Sequence, residues 1–195
     1  MNSVCVYCGS AFGRDPAYLA AATATGVAIA GARLTLVYGG ARVGLMGAVA
    51  DAALASGGRV VGVMPRDLVE REIAHPGLSE LHVVNSMHER KWRMAELADA
   101  FLTLPGGAGA LEEMFEQWTW AQLGFHAKPS GFLDVGGYFR PLREMIARMV
   151  DADFLAPAYA DMLIYAAEPG EALEAFARYT PPAPKWGGPP ARDSD

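Results

Sequence analysis

The chain has 195 residues, of which 52% are hydrophobic and 19% are charged, and its net charge at pH 7 is -6. This composition is sufficient for one well-packed domain. The negative charge argues against a general nucleic-acid surface. No apolar run reaches the roughly 20 residues that span a bilayer, and the first residues lack the basic and apolar regions of a signal peptide. We therefore expect a cytoplasmic protein with no nucleic-acid partner and no membrane contact.

Strand-like apolar runs alternate with helical patterns along the chain. Strands are predicted at residues 3–7, 34–38, 59–64, 81–84, 100–104, 131–135 and 162–165, and helices at 16–30, 45–56, 87–98, 110–123, 138–150 and 171–179. Such alternation is typical of a parallel sheet that carries helices on both faces. The sequence therefore predicts an α/β fold, a single Rossmann-like, doubly wound parallel sheet of about seven strands flanked by helices.

Residues 1–180 are predicted to form this one domain, and the Pro- and Gly-rich residues 181–195 a loose, disordered tail. Two helix starts carry clear signals. Asp15 is a candidate N-cap before Pro16. The segment from Ser86 to Glu89 fits a capping box, which places Arg90 at the beginning of the next helix.

The only two cysteines, Cys5 and Cys8, have the C-x-x-C spacing of some redox and metal sites. Residues three apart in a strand face opposite sides of the sheet. No second cysteine pair and no spaced histidine pair completes a zinc site. We therefore interpret both cysteines as structural and predict no metal.

Three glycine-rich turns follow predicted strands, at the edge where such sheets bind ligands. Glycine lacks the Cβ atom that would keep a ligand from backbone N–H groups, and a helix N-terminus favours an anion such as phosphate. The turn at residues 105–109 joins a strand to a helix in this way. The candidate binding residues in these turns are Gly9, Ser10, Gly39, Gly40, Gly106, Gly107, Ala108, Gly109 and Ala110.

Two oppositely charged residues are predicted at the same edge of the sheet. Arg90 begins the helix that follows one strand, and Glu113 lies in what we predict to be the first turn of the helix that follows the next. A carboxylate beside a phosphate-binding turn suggests chemistry on the sugar of a nucleotide. The alternative is that Glu112, Glu113 and Glu116 simply complement a helix N-terminus and sit in water. Likewise, Arg90, Lys91 and Arg93 would form a solvated basic face.

Other functions of such a fold are less well supported. A nicotinamide dehydrogenase would carry G-x-G-x-x-G and an acidic residue after the second strand, where this chain has Tyr38-Gly39-Gly40. A serine hydrolase would carry G-x-S-x-G. The one histidine near the proposed site, His88, is interpreted as a helix-surface residue. A non-catalytic nucleotide- or cofactor-binding protein of the same fold remains an alternative.

Two of these segments resemble signatures of a known family. Residues 105–113 resemble the P-G-G-x-G-T-x-x-E signature of the LOG ("Lonely guy") cytokinin-activating proteins, and residues 87–91 resemble their M-x-x-R-K segment. Further landmarks at residues 8–10, 38–47 and 128–138 follow in the same order. The resemblance covers about residues 2–178.

The resemblance implies a phosphoribohydrolase. Members cut the N-glycosidic bond of a cytokinin riboside 5′-monophosphate, or of AMP, and release the base and ribose 5-phosphate; many carry the label lysine decarboxylase. It implies that Arg90 and Glu113 are catalytic, that Met87 and Lys91 belong to the substrate-binding motif, and that no cofactor is required. It also implies a homodimer, with which an apolar Trp118–Trp120 surface is compatible.

Within the proposed mechanism, Glu113 stabilises an oxocarbenium-like transition state and acts as nucleophile or base. Arg90 holds the carboxylate or the ribose hydroxyls in register. Two positions depart from the family pattern. The motif threonine is Ala110 here, so one hydroxyl donor to the phosphate is missing, and Ala41 stands where a third glycine is usual.

Overall fold

A computed structural model describes residues 1–71 and 73–186. It contains one seven-stranded parallel sheet with the order β4-β3-β2-β1-β5-β6-β7, which confirms the predicted fold class. The strands are β1 (Ser3–Tyr7), β2 (Thr35–Tyr38), β3 (Val60–Pro65), β4 (Glu80–Val84), β5 (Phe101–Thr103), β6 (Ser130–Leu133) and β7 (Leu163–Ala166). Every predicted strand is present, with its ends displaced by no more than two residues.

Within residues 1–71 and 73–186, eight α-helices connect or follow these strands. They are α1 (Pro16–Gly31), α2 (Gly44–Ala55), α3 (Arg66–Glu70), α4 (Met87–Leu97), α5 (Ala108–Leu123), α6 (Arg140–Asp151), α7 (Pro157–Ala160) and α8 (Pro169–Arg178). The sequence did not predict α3, α7 or the 3₁₀ turn at Val135–Gly137. These elements are too short to show a helical hydrophobic period.

The core lies on both faces of the sheet, because alternate residues of each strand point to opposite sides. In β1, Val4 and Val6 pack on the side of α1 and α2, and Cys5 and Tyr7 pack on the side of α4 and α5. Cys8 belongs to the first side, so the two free cysteines lie on opposite faces, as predicted. Burial raises the pKa of both thiols, so neither forms a thiolate near neutral pH.

The strand order reverses at β1, which pairs with β2 on one side and β5 on the other. At such a switch point the connections that leave the two strands diverge and open a crevice beyond their carboxyl ends. Two backbone hydrogen bonds tie these ends together, from Gly9 N–H to Pro105 O (3.1 Å) and from Leu104 N–H to Tyr7 O (2.9 Å). The glycine turns after β1 and β5 therefore border one crevice.

The end of the chain is described as far as residue 186. Lys185 N–H donates to the carbonyl oxygen of Gln122 (2.8 Å), which holds this segment against the end of α5. The rest of the predicted tail, residues 187–195, lies outside the described residues, and the domain boundary at residue 180 stays a prediction. Within the described ranges, no helix is long and apolar enough to cross a membrane.

Candidate functional site

The N-terminus of α4 is capped by the predicted residue, but only one of the two bonds of the predicted capping box forms. Ser86 is the N-cap, and its Oγ accepts a hydrogen bond from Glu89 N–H (3.1 Å). The Glu89 carboxylate turns back to accept from Asn85 N–H (2.8 Å), one residue earlier than in a capping box. These bonds fix the first turn of α4, so Arg90 projects from a rigid position.

The Arg90 side chain is buried beneath the glycine turn that follows β2. Its Nε–H donates to the carbonyl oxygen of Val63 at 3.1 Å. A Cβ atom on Gly39 would lie 1.8 Å from Arg90 Nη2, so only glycine lets the guanidinium pass at this point. Gly39 was predicted as a binding residue, and the structure shows that it also makes room for the arginine.

Helix α5 begins two residues earlier than predicted. Gly107 is its N-cap, with extended backbone angles, and Ala108 and Gly109 already belong to the helix. Residues 108 and 109, which were predicted to belong to the glycine-rich turn, are helical. The prediction that Glu113 lies in the first helical turn is therefore wrong. Early N–H groups in a helix have no acceptor within it, so those of Ala108, Gly109 and Ala110 can bind a ligand.

Arg90 and Glu113 meet at the carboxyl ends of the strands. Arg90 Nη1 lies 3.5 Å from Glu113 Oε1, and the two side chains are only 10% and 13% exposed. Burial raises the pKa of Glu113 to about 7, although the charge of Arg90 acts to lower it. Glu113 is thus poised between its acid and carboxylate forms near neutral pH. Because both side chains are buried, Arg90 and Glu113 are not the solvated charges of the alternative interpretation.

Lys91, which the family resemblance assigns to the substrate-binding motif, is enclosed by two carboxylates of α5. Its ammonium is buried, hydrogen-bonds Glu112 and lies 3.1 Å from Glu116 Oε1. Burial lowers the pKa of Lys91, but the hydrogen bonds to the two glutamates outweigh it and the net shift is upward. Lys91 therefore remains protonated and holds α4 against α5.

Arg90 and Glu113 border a cavity of about 360 Å³ that we call the central cleft. It is lined by Val6, Tyr7, Cys8, Gly9, Ser10, Gly39, Met46, Met87, Arg90, Gly107, Ala108, Gly109, Ala110, Glu112 and Glu113. Of the predicted site residues, Gly40, Lys91 and Gly106 are not among them. Five lining residues were not predicted as site residues, namely Val6, Tyr7, Cys8, Met46 and Glu112. Tyr7 could have been found as the last residue of β1, whereas nothing in the sequence marks Met46.

A second cavity of about 330 Å³, the aromatic cavity, adjoins the central cleft and shares Gly9, Ser10 and Gly107 with it. Its other walls include Phe12, Tyr18, Leu45, Pro105, Gly106 and Tyr138. The rings of Phe12 and Tyr18 come from one segment and that of Tyr138 from a distant one, so no local pattern predicted the cavity. Among residues 1–71 and 73–186, no three His, Cys, Asp or Glu side chains converge so that they could hold a metal ion.

The fold and the site define a Rossmann-like α/β protein with a buried carboxylate–arginine pair, an arrangement suited to acid–base chemistry. Residues 46–176 match the family model described as "Possible lysine decarboxylase". The chain belongs to this family, the LOG family, whose curated members here are named cytokinin riboside 5′-monophosphate phosphoribohydrolases.

Two such relatives cover most of this chain. The protein of that name from Rhodococcoides fascians is 53% identical over 158 residues, which are 80% of this chain and 80% of the relative. One from Arabidopsis thaliana is 44% identical over 178 residues, 91% of this chain and 82% of the relative.

The fold also resembles a solved structure, the molybdenum cofactor binding protein from Rippkaea orientalis, with a TM-score of 0.68 and 17% identity over 91% of this chain and 97% of that one. An identity of 17% supports similarity of fold alone.

Proposed function

We propose that this protein hydrolyses the N-glycosidic bond of cytokinin riboside 5′-monophosphates, or of AMP. In this reaction the bond between C1′ and the base nitrogen breaks, the oxygen of water bonds to C1′, and the base leaves with a proton. The products are the free base and ribose 5-phosphate. The observation that carries the proposal is the buried Arg90–Glu113 pair in the same cleft as the N-terminus of α5. The names of the curated relatives agree with it.

The N-terminus of α5 is the proposed phosphate site. It presents the N–H groups of the first helical turn and the positive end of the helix dipole. Cβ atoms placed on Gly107 and Gly109 would meet nothing within 4 Å, so the approach to these N–H groups is open. Gly9 and Ser10 border the same space from the end of β1.

Glu113 is the proposed catalytic carboxylate. It lies about one and a half helical turns beyond the N-cap Gly107 on α5, a separation that fits a ribose between phosphate and carboxylate. Its carboxylate stabilises positive charge at C1′ and acts as nucleophile or as base toward water. Arg90 orients this carboxylate with its rigid set of donors. No step requires a metal or an organic cofactor.

Incubation with separate substrates tests this proposal. We expect AMP and isopentenyladenosine monophosphate to release free base and ribose 5-phosphate without added metal. The matching nucleosides should react far more slowly, because they lack the phosphate that binds α5. Lysine should give no product.

The proposal would be contradicted by decarboxylation of lysine or by loss of activity in a metal chelator. Equal rates for nucleoside and nucleotide would contradict the proposed phosphate site at the N-terminus of α5. If the nucleotides bind but are not cleaved, the alternative of a nucleotide-binding protein without catalysis is supported.

Replacing Ala110 by threonine restores the hydroxyl of the family motif. Ala110 lines the central cleft in the first turn of α5, so the hydroxyl would reach the proposed phosphate. One hydrogen bond contributes about 0.5–1.5 kcal/mol, so we expect the KM for AMP to fall by roughly 2- to 12-fold. Steady-state kinetics on AMP measure this. An unchanged KM would show that the existing donors already suffice.

We further propose that the protein is a cytoplasmic homodimer. Trp92 and Phe125 are 56% and 64% exposed, and the Trp92 ring centre lies 5.4 Å from that of Trp120. Trp118 is instead buried, and its Nε1–H donates to the carbonyl oxygen of Tyr159 (2.9 Å). Exposed apolar surface of this kind is typical of interfaces. The molar mass in solution tests the proposal, and a monomer would contradict it.

A further inference from the structure

Tyr138 touches the proposed phosphate turn from the aromatic cavity. Its hydroxyl donates a hydrogen bond to the carbonyl oxygen of Gly106 (2.6 Å). Gly106 immediately precedes Gly107, the N-cap of α5. Tyr138 itself lies 25 positions beyond Glu113, on the segment between β6 and α6, and does not line the central cleft.

The position of Tyr138 is fixed by the residues around it. Gly136 and Gly137 both have positive φ angles, of 61° and 76°, and they turn the chain after β6 so that Tyr138 faces α5. Asp134 Oδ1 accepts from Phe139 N–H (2.7 Å), and the Phe139 ring is buried against Phe132. The segment that carries Tyr138 is therefore anchored, and the Tyr138 ring lies against those of Tyr18 and Phe139, at 5.5 Å and 5.0 Å between ring centres.

A hydrogen bond to the Gly106 carbonyl also orients the next N–H group. The peptide between Gly106 and Gly107 is planar and trans, so its C=O and N–H point in opposite directions. Glycine occupies both sides of this peptide, so the backbone dihedrals on either side lack the restraint of a Cβ atom of their own. With the carbonyl held toward Tyr138, the Gly107 N–H points away from the aromatic cavity, and Gly107 also lines the central cleft.

We infer that Tyr138 is a positioning residue for substrate phosphate, acting through the Gly106–Gly107 peptide. It makes the Gly107 N–H a fixed donor at the N-terminus of α5. This inference rests on the proposed function, because it requires that the substrate's phosphate binds there. Tyr138 affects binding of the phosphate and has no part in breaking the glycosidic bond.

Replacing Tyr138 by phenylalanine tests this inference, since the ring stays and only the hydroxyl is lost. We expect the KM for AMP to rise about 2- to 12-fold, with kcat within about twofold of the native value. The Kd for inorganic phosphate, measured by titration calorimetry, should rise by a similar factor. The melting temperature should stay within about 2 °C, because the bond is partly exposed to solvent.

Tyr18→Phe is the matched control. Tyr18 lines the same cavity, and its ring centre lies 5.5 Å from that of Tyr138. The control should leave the KM for AMP and the phosphate Kd unchanged. An equal rise in Tyr18→Phe would overturn the inference, as would native values of both constants in Tyr138→Phe.

The two proposals fail in different ways. If the native protein cleaves AMP and Tyr138→Phe behaves identically, the inference fails and the proposed function stands. If the native protein cleaves nothing, the proposed function fails. The phosphate titration then still decides whether Tyr138 orients the turn.

Discussion

Replacing Glu113 by glutamine is expected to lower kcat on AMP by about a hundredfold or more. The amide keeps the shape of the side chain and removes the negative charge that stabilises an oxocarbenium-like state. Loss of such an electrostatic interaction corresponds to roughly 3 kcal/mol in the transition state. Turnover of AMP by the purified variant, compared with the native protein at the same pH, measures this loss.

Glu116→Gln is the matched control for Glu113→Gln. Glu116 lies one turn further along α5, contacts Lys91 and is not among the residues of the central cleft. It should retain most of the native turnover. Nucleotide binding and the melting temperature of Glu113→Gln should remain close to native, since the amide fits the same space. Retention of more than about half of the activity in Glu113→Gln would rule out the proposed mechanism.

Replacing Arg90 by alanine is expected to depress turnover of AMP by roughly ten- to a hundredfold and to shift its pH dependence. The pKa of Glu113 is raised by burial to about 7, and the charge of Arg90 opposes that rise. Without Arg90 the pKa rises further, so less carboxylate is present at pH 7. Because turnover requires the carboxylate, the acid limb of kcat/KM should move to higher pH. The phosphate group of AMP ionises in the same way in both assays. The difference between the two pH profiles therefore reports the change in the pKa of Glu113.

Two further variants distinguish the loss of the positive charge of Arg90 from the loss of protein stability. The side chain is buried and bonds Val63, so Arg90→Ala also loses stability. Arg90→Lys keeps the charge, and its acid limb should stay near the native position. The double variant Arg90→Ala with Glu113→Gln should be little worse than the poorer single variant, because the two residues act as a unit. The assigned role of Arg90 would be contradicted if the acid limb does not move in Arg90→Ala. It would also be contradicted if the losses of turnover in the two single variants add fully in the double variant.

The sheet and its ligand edge could be predicted because they depend on local patterns. Each strand is a short apolar run, and the glycine turns follow the strands directly. Parallel strands place all such turns at one edge of the sheet. For this reason the proximity of Arg90 and Glu113 could be predicted from the sequence. The strand order was not predicted, and only this order shows that the turns after β1 and β5 share a crevice.

Features that depend on tertiary packing could not be predicted. A glycine-rich segment permits either a turn or the start of a helix, so the true beginning of α5 at Ala108 was missed. The close approach of Arg90 to Gly39 and the enclosure of Lys91 by two glutamates are contacts between distant elements. The raised pKa of Glu113 follows from burial, which the sequence pattern does not fix.

A time course of both products from AMP with the native protein tests directly whether the N-glycosidic bond is hydrolysed. Hydrolysis at C1′ predicts that adenine and ribose 5-phosphate accumulate in equal amounts, with matching loss of AMP and no requirement for metal. Release of adenosine and inorganic phosphate would contradict hydrolysis at C1′. So would a folded protein that binds AMP but releases no free adenine.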